Sequence, residues 1–60
     1  MFLTFTNAES NEKISVNRDN VVCLFTAKDD DGLSRTVLSV VNGNIAIAES
    51  YLAALSILNQ

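Results

Sequence analysis

Residues 2–6, FLTFT, alternate apolar and polar side chains with a period of two. Leu3 and Phe5 fall on one face, Thr4 and Thr6 on the other, as in a strand with one buried face. NAESNE (7–12) is polar and predicts a turn. KISVN (13–17) resumes the alternation, with Ile14 and Val16 inward, and completes a hairpin with the first strand. RDN (18–20) is a short polar connection. NVVCLFTAK (20–28) is different in kind, because Val21, Cys23 and Phe25 alternate with Val22 and Leu24 and both sets are apolar. A charged loop follows, DDDGLS (29–34), in which Gly32 can take positive φ. RTVLSVV (35–41) is again apolar on both faces, with Val37 and Val41 on one side and Leu38 and Val40 on the other. Asn42-Gly43 is a strong hairpin signal, since a type I′ turn needs positive φ at both central residues. NIAIAE (44–49) is the returning strand, with Ile45 and Ile47 inward and Ala46 and Ala48 outward.

The period changes at SYLAALSILN (50–59), a segment rich in the helix formers Leu and Ala. Ser50 can cap the helix and Glu49 carries charge of the sign that suits its dipole. Tyr51, Ala54, Leu55 and Leu58 form one stripe, and Leu52, Ala53 and Ile57 are apolar off that stripe. The pattern predicts one domain over residues 1–60, of α+β class: a small antiparallel meander of about five strands with one C-terminal helix.

The helix can cover one face of such a sheet. The second face of residues 20–28 and the outer side of the helix still need a cover, which predicts an oligomer or a protein partner. Size points the same way. A chain of 60 residues buries only about 60% of the surface its unfolded form exposes, and small domains compensate with disulfides, metals or oligomerisation. The single cysteine, Cys23, excludes an internal disulfide, and the absence of histidine excludes His-containing zinc sites. Cys23 among apolar neighbours reads as a small hydrophobe and fits a reducing compartment.

Charge narrows the function classes. Four Lys and Arg against seven Asp and Glu give a net charge of −3. Nucleic-acid binding depends on a basic patch, and Lys13, Arg18, Lys28 and Arg35 are scattered. No segment reaches the roughly 18 apolar residues of a membrane span, and MFLTFTNAES lacks the basic and apolar regions of a signal peptide. The expectation is a cytoplasmic protein with neither nucleic-acid nor membrane partners.

Catalytic and metal chemistry find little purchase. Placing Gly32 at the glycine of an EF-hand loop puts Ala27 and Leu38 at ligand positions, so DDDG reads as a solvated loop. No histidine can serve as general base for a serine, and Gly32 and Gly43 are too far apart for a phosphate loop. The expectation is therefore no catalytic residue, no metal and no cofactor.

The segments ISVNRDNVV, TVLSVVNGNIAIAES and YLAAL resemble the FlbD/SwrD-like small flagellar and swarming motility proteins. The matching positions are Leu3 and Thr4, Val16 and Asn17, Val21 and Val22, Thr36 and Val37, Asn42 and Gly43, and Glu49 and Ser50. The loop AKDDDGLS is longer than in that family and lacks its P-D-T. The same stretch resembles the second half of the LytTR domain without that domain's basic residues. Both resemblances imply the strand–hairpin–helix order and carry no activity.

Three functional expectations follow. The first is a non-enzymatic interaction module that homo-oligomerises and docks on a protein partner, with Val21, Cys23, Phe25, Leu52 and Ile57 at the oligomer interface. The second is an oligomer that binds an anionic, nucleotide-like ligand through Asn17, Arg18 and Arg35, with Tyr51 placed to stack; without a ligand, the two arginines would pair with Asp19 or Asp31. The third is a structural subunit of a larger particle.

Overall fold

The computed structural model describes all 60 residues. Strand β1 (Phe2–Thr6) pairs antiparallel with β2 (Lys13–Asn17), Leu3 opposite Val16 and Phe5 opposite Ile14. The turn between them is built by Asn7, whose carboxamide oxygen accepts from Glu9 N–H at 2.8 Å and from Ser10 N–H at 3.3 Å. Asn11 takes φ 63°, a conformation asparagine tolerates better than other side chains. One 3-10 turn, Arg18–Asn20, then redirects the chain, with the Asn17 side chain accepting from Asp19 N–H at 3.1 Å.

A second sheet follows in the order β3-β4-β5, all antiparallel: β3 (Val21–Lys28), β4 (Ser34–Val40) and β5 (Gly43–Ile47). The five strands thus form a two-stranded and a three-stranded sheet, where the sequence predicted one continuous meander. The 3-10 turn is the reason, because it keeps β2 and β3 from pairing. The backbones of the two sheets join at one corner, through an Asn7–Ile47 bridge flanked by Ala8 N–H to Ala46 O at 2.9 Å and Ala48 N–H to Thr6 O at 2.8 Å.

The core lies between these layers. Leu3, Phe5 and Val16 face Leu38 and Ile47, with Ala54 of helix α1 (Tyr51–Leu58) completing the buried set. Ser50 caps the helix as expected, its hydroxyl accepting from Ala53 N–H at 3.2 Å. The inward face of α1 is Ala54, Ile57 and Leu58, spaced i, i+3, i+4. Tyr51 and Leu55, expected in the inward stripe, are 39% and 37% exposed, and Ile57, expected at an oligomer interface, is turned to the core. The small Ala54 lets the helix backbone sit close and sets this rotation.

The β4–β5 hairpin lies where Asn42-Gly43 placed it, shifted by one residue. Val40 pairs with Gly43, so Val41 and Asn42 form the loop. Asn42 has no positive φ, and Gly43 alone carries it at 144°. The turn is therefore not type I′ across Asn42-Gly43.

Candidate functional site

As the third strand of a continuous five-strand meander, β3 would have a strand on either side. It lies at an edge, with β4 as its only neighbouring strand, and apart from the Val21 N–H, which donates to the Arg18 carbonyl oxygen, its other side makes no backbone hydrogen bond within the chain. Only Val21 and Leu24 are half-buried; the other six residues of this eight-residue strand are exposed. A bulge explains which side chains turn inward. Val21 opposes Val40 and Cys23 opposes Ser39, so Val22 is the extra residue. The strict alternation expected for Val21, Cys23 and Phe25 is broken at that point. Val21 joins Leu24 against the core, while Cys23 and Phe25 share the outer face.

That outer face has an apolar centre. Phe25 opposes Val37, and Val37 opposes Ala46, forming a row across all three strands. No element of the chain crosses this face. Phe25 is 36% exposed and Val22, in the bulge, 64%. Leu52 projects from the helix at 75% exposure, with Tyr51 and Leu55 beside it in helical spacing. Of the five residues expected at an oligomer interface, Cys23, Phe25 and Leu52 are thus accessible, and Val21 and Ile57 are half-buried in the core layer.

The residues expected to hold an anion do not converge. Asn17 lines a groove of about 340 Å³ with Phe2, Asn20, Val41 and Asn42, which contains no cation. Arg35 lines a different groove of about 370 Å³, where Glu49 opposes its charge. Arg18 and Tyr51 line neither. Arg18 donates to the Gln60 carbonyl oxygen at 2.6 Å. Arg35 pairs with Asp29 at 3.0 Å, the only ion pair of the chain, and neither arginine pairs with Asp19 or Asp31. No three Cys, Asp or Glu side chains group closely enough to hold a metal ion.

Two carboxylates instead organise the backbone. The Asp29 carboxylate accepts from Asp31 N–H at 3.0 Å, Leu33 N–H at 2.9 Å and Arg35 Nε at 3.0 Å. The Arg35 hydrogen bond, then that of Leu33, holds its pKa below the ordinary aspartate value. Glu49 accepts from the Thr6 N–H and the Thr6 hydroxyl, each at 2.9 Å, while Lys13 Nζ donates to the same hydroxyl at 3.0 Å. Partial burial on its own would raise the Glu49 pKa. The hydrogen bonds from Thr6 and its own backbone, with the charge of Lys13, outweigh burial and lower it. The role expected for Glu49 at the helix dipole is thus joined by a clamp across the corner between the sheets.

Sequence reasoning missed the bulge at Val22, the edge position of β3 and the carboxamide-lined groove. No glycine or proline marks the bulge, and Asn20 and Asn42 are brought together only by the fold. Family models, curated proteins and solved structures show no match to this chain.

Proposed function

We propose that this chain is a non-enzymatic interaction module that associates with itself and docks on a protein partner by burying apolar surface that one copy leaves open. The observation that carries this reading is β3: a strand apolar on both faces, at a sheet edge, with six of its eight residues exposed. Edge strands present unpaired N–H and C=O groups, and soluble proteins usually blunt them with charge, proline or irregularity. From Cys23 to Ala27 this strand has none of these.

An anionic ligand has weaker support, because the two arginines are separated and each already engages an oxygen acceptor. A role as a subunit of a larger particle uses the same surfaces and is a special case of the first reading.

Sedimentation equilibrium from low micromolar to submillimolar protein tests the self-association. The expected result is an average mass that rises with concentration above the 6.5 kDa of one chain. A mass of 6.5 kDa at every concentration would overturn it.

A further inference from the structure

We infer that the free edge of β3 pairs antiparallel with β3 of a second copy about a two-fold axis at Phe25, joining two three-stranded sheets into one of six strands. This rests on the self-association proposed above and specifies its geometry. The short edge strand β2 is a poorer candidate: it has five residues, begins with Lys13, and its outward positions Ser15 and Asn17 are polar. The helix offers Leu52 and Leu55 but no unpaired backbone.

The register follows from the side chains. Directly opposed residues of an antiparallel pair lie on the same face of the sheet. After the bulge, Cys23, Phe25 and Ala27 face outward and Leu24 and Thr26 face the core side. A two-fold at Phe25 sets Phe25 against Phe25 of the second copy, Cys23 against Ala27 and Leu24 against Thr26. The outer row then runs unbroken as Ala46, Val37, Phe25 and the same three residues in reverse order. An axis one residue later, at Thr26, would set Lys28 against Leu24 on the core side. An axis one residue earlier, at Leu24, would draw the bulge at Val22 into the ladder. The Phe25 axis instead leaves Val22 at the end of the ladder, opposite Lys28, with Cys23 to Ala27 paired regularly between. It also sets the Asp29–Asp31 loop of each copy beside the Arg18–Asn20 turn of the other, which carries both Arg18 and Asp19, so charge neither favours nor opposes this axis.

The axis makes a crosslinking prediction specific to this pairing. Opposed residues are about 4.5–5.5 Å apart at Cα, within the 4.4–6.8 Å a disulfide spans. Residues 23 and 27 of one strand are about 13 Å apart, too far to bridge within a chain. Wild-type Cys23 is equally far from Cys23 of the second copy. The variant Ala27→Cys changes an exposed position and supplies the missing thiol.

The full chain is treated with diamide, which takes up the two electrons and two protons of each thiol pair, and is run on a denaturing gel without reductant. Ala27→Cys is expected to give a covalent dimer, whereas wild type and Cys23→Ser/Ala27→Cys stay as single chains. Circular dichroism confirms that the variants are folded. As a second arm, Phe25→Glu places like charges opposite each other and removes the aromatic pair, weakening association about tenfold by sedimentation. A protein that self-associates while Ala27→Cys fails to crosslink, or whose wild type crosslinks through Cys23, overturns this pairing and leaves the interaction reading standing. A protein that sediments as one chain at every concentration overturns both.

Discussion

At the scale of single residues, the polar side chains that shape this molecule act on backbone. Asn7, Asn17, Asp29 and Ser50 each accept from N–H groups two to four positions ahead, and each marks the start of a turn or helix. Because these bonds are local, the Ser50 cap and the turns at 7–12 and 29–34 are visible in sequence, whereas Asn17 was expected to hold an anion. Glu49 is the exception, since its partner Thr6 lies 43 positions away. Its lowered pKa gives the sign of a pH effect. A carboxyl depressed in the folded state stabilises the protein above its unfolded value, about 4.3, and that contribution is lost as pH falls through the folded value. Glu49→Gln is therefore expected to lower the urea midpoint at pH 7. The difference from wild type should be smaller at about pH 3, as the carboxylate takes up its proton and the contribution of its charge is lost. With the carboxylate partly in water, the loss at pH 7 should be about 1 kcal/mol. Equal midpoint differences at the two pH values would show that the clamp does not depend on charge.

At the scale of elements, the bulge decides how β3 presents itself. Periodicity places β3 at 20–28, within one residue of its observed start at Val21, but a period of two cannot register an inserted residue. Val22 shifts the alternation, so Val21 and Leu24, three positions apart, both reach the core. It also bends the exposed edge, which limits pairing there. Deleting Val22 should leave every inward contact in place, because Val21 would then alternate regularly with Cys23 and Leu24. The deletion is expected to fold, with unchanged far-ultraviolet circular dichroism, and to associate more tightly than wild type in sedimentation. A chain that unfolds would show that the bulge relieves strain elsewhere in the sheet. Helix α1 shows the same boundary between local and non-local information. Its cap and start are encoded by Ser50, but its rotation is set by what Ala54 packs against, and an eight-residue helix is too short to hold a conformation alone.

At the scale of the whole molecule, the total surface is unremarkable. The accessible area is 4025 Å², close to the roughly 3,800 Å² of a folded monomer of this mass. What is uneven is its composition: Phe2, Val22, Leu33, Val41 and Leu52 are all more than 60% exposed, while only six apolar residues are buried. Such a core is intolerant of loss. Leu38 is fully buried between Leu24 and Ile45 in the sheet register, and Leu38→Ala should cost about 3 kcal/mol. A domain of this length has roughly 3–9 kcal/mol in all. The variant should therefore denature at a much lower urea concentration, with added protein restoring part of the loss if association stabilises the fold. A midpoint within error of wild type would mean that Leu38 is not the centre of the core.

The sequence by itself determined the number, order and approximate limits of the strands, the capped C-terminal helix, the α+β class and the two apolar faces of β3. Each of these is written in spacing over a few residues, where side-chain periodicity and turn chemistry act directly. The tertiary structure decided the split into two sheets, the edge position of β3, the bulge, the rotation of α1 and the separation of Arg18 from Arg35. Those depend on which distant segments share a core, and a pattern of two or three and a half residues carries no record of that. An apolar strand has the same sequence whether its neighbour is a strand of its own chain or one from a second copy.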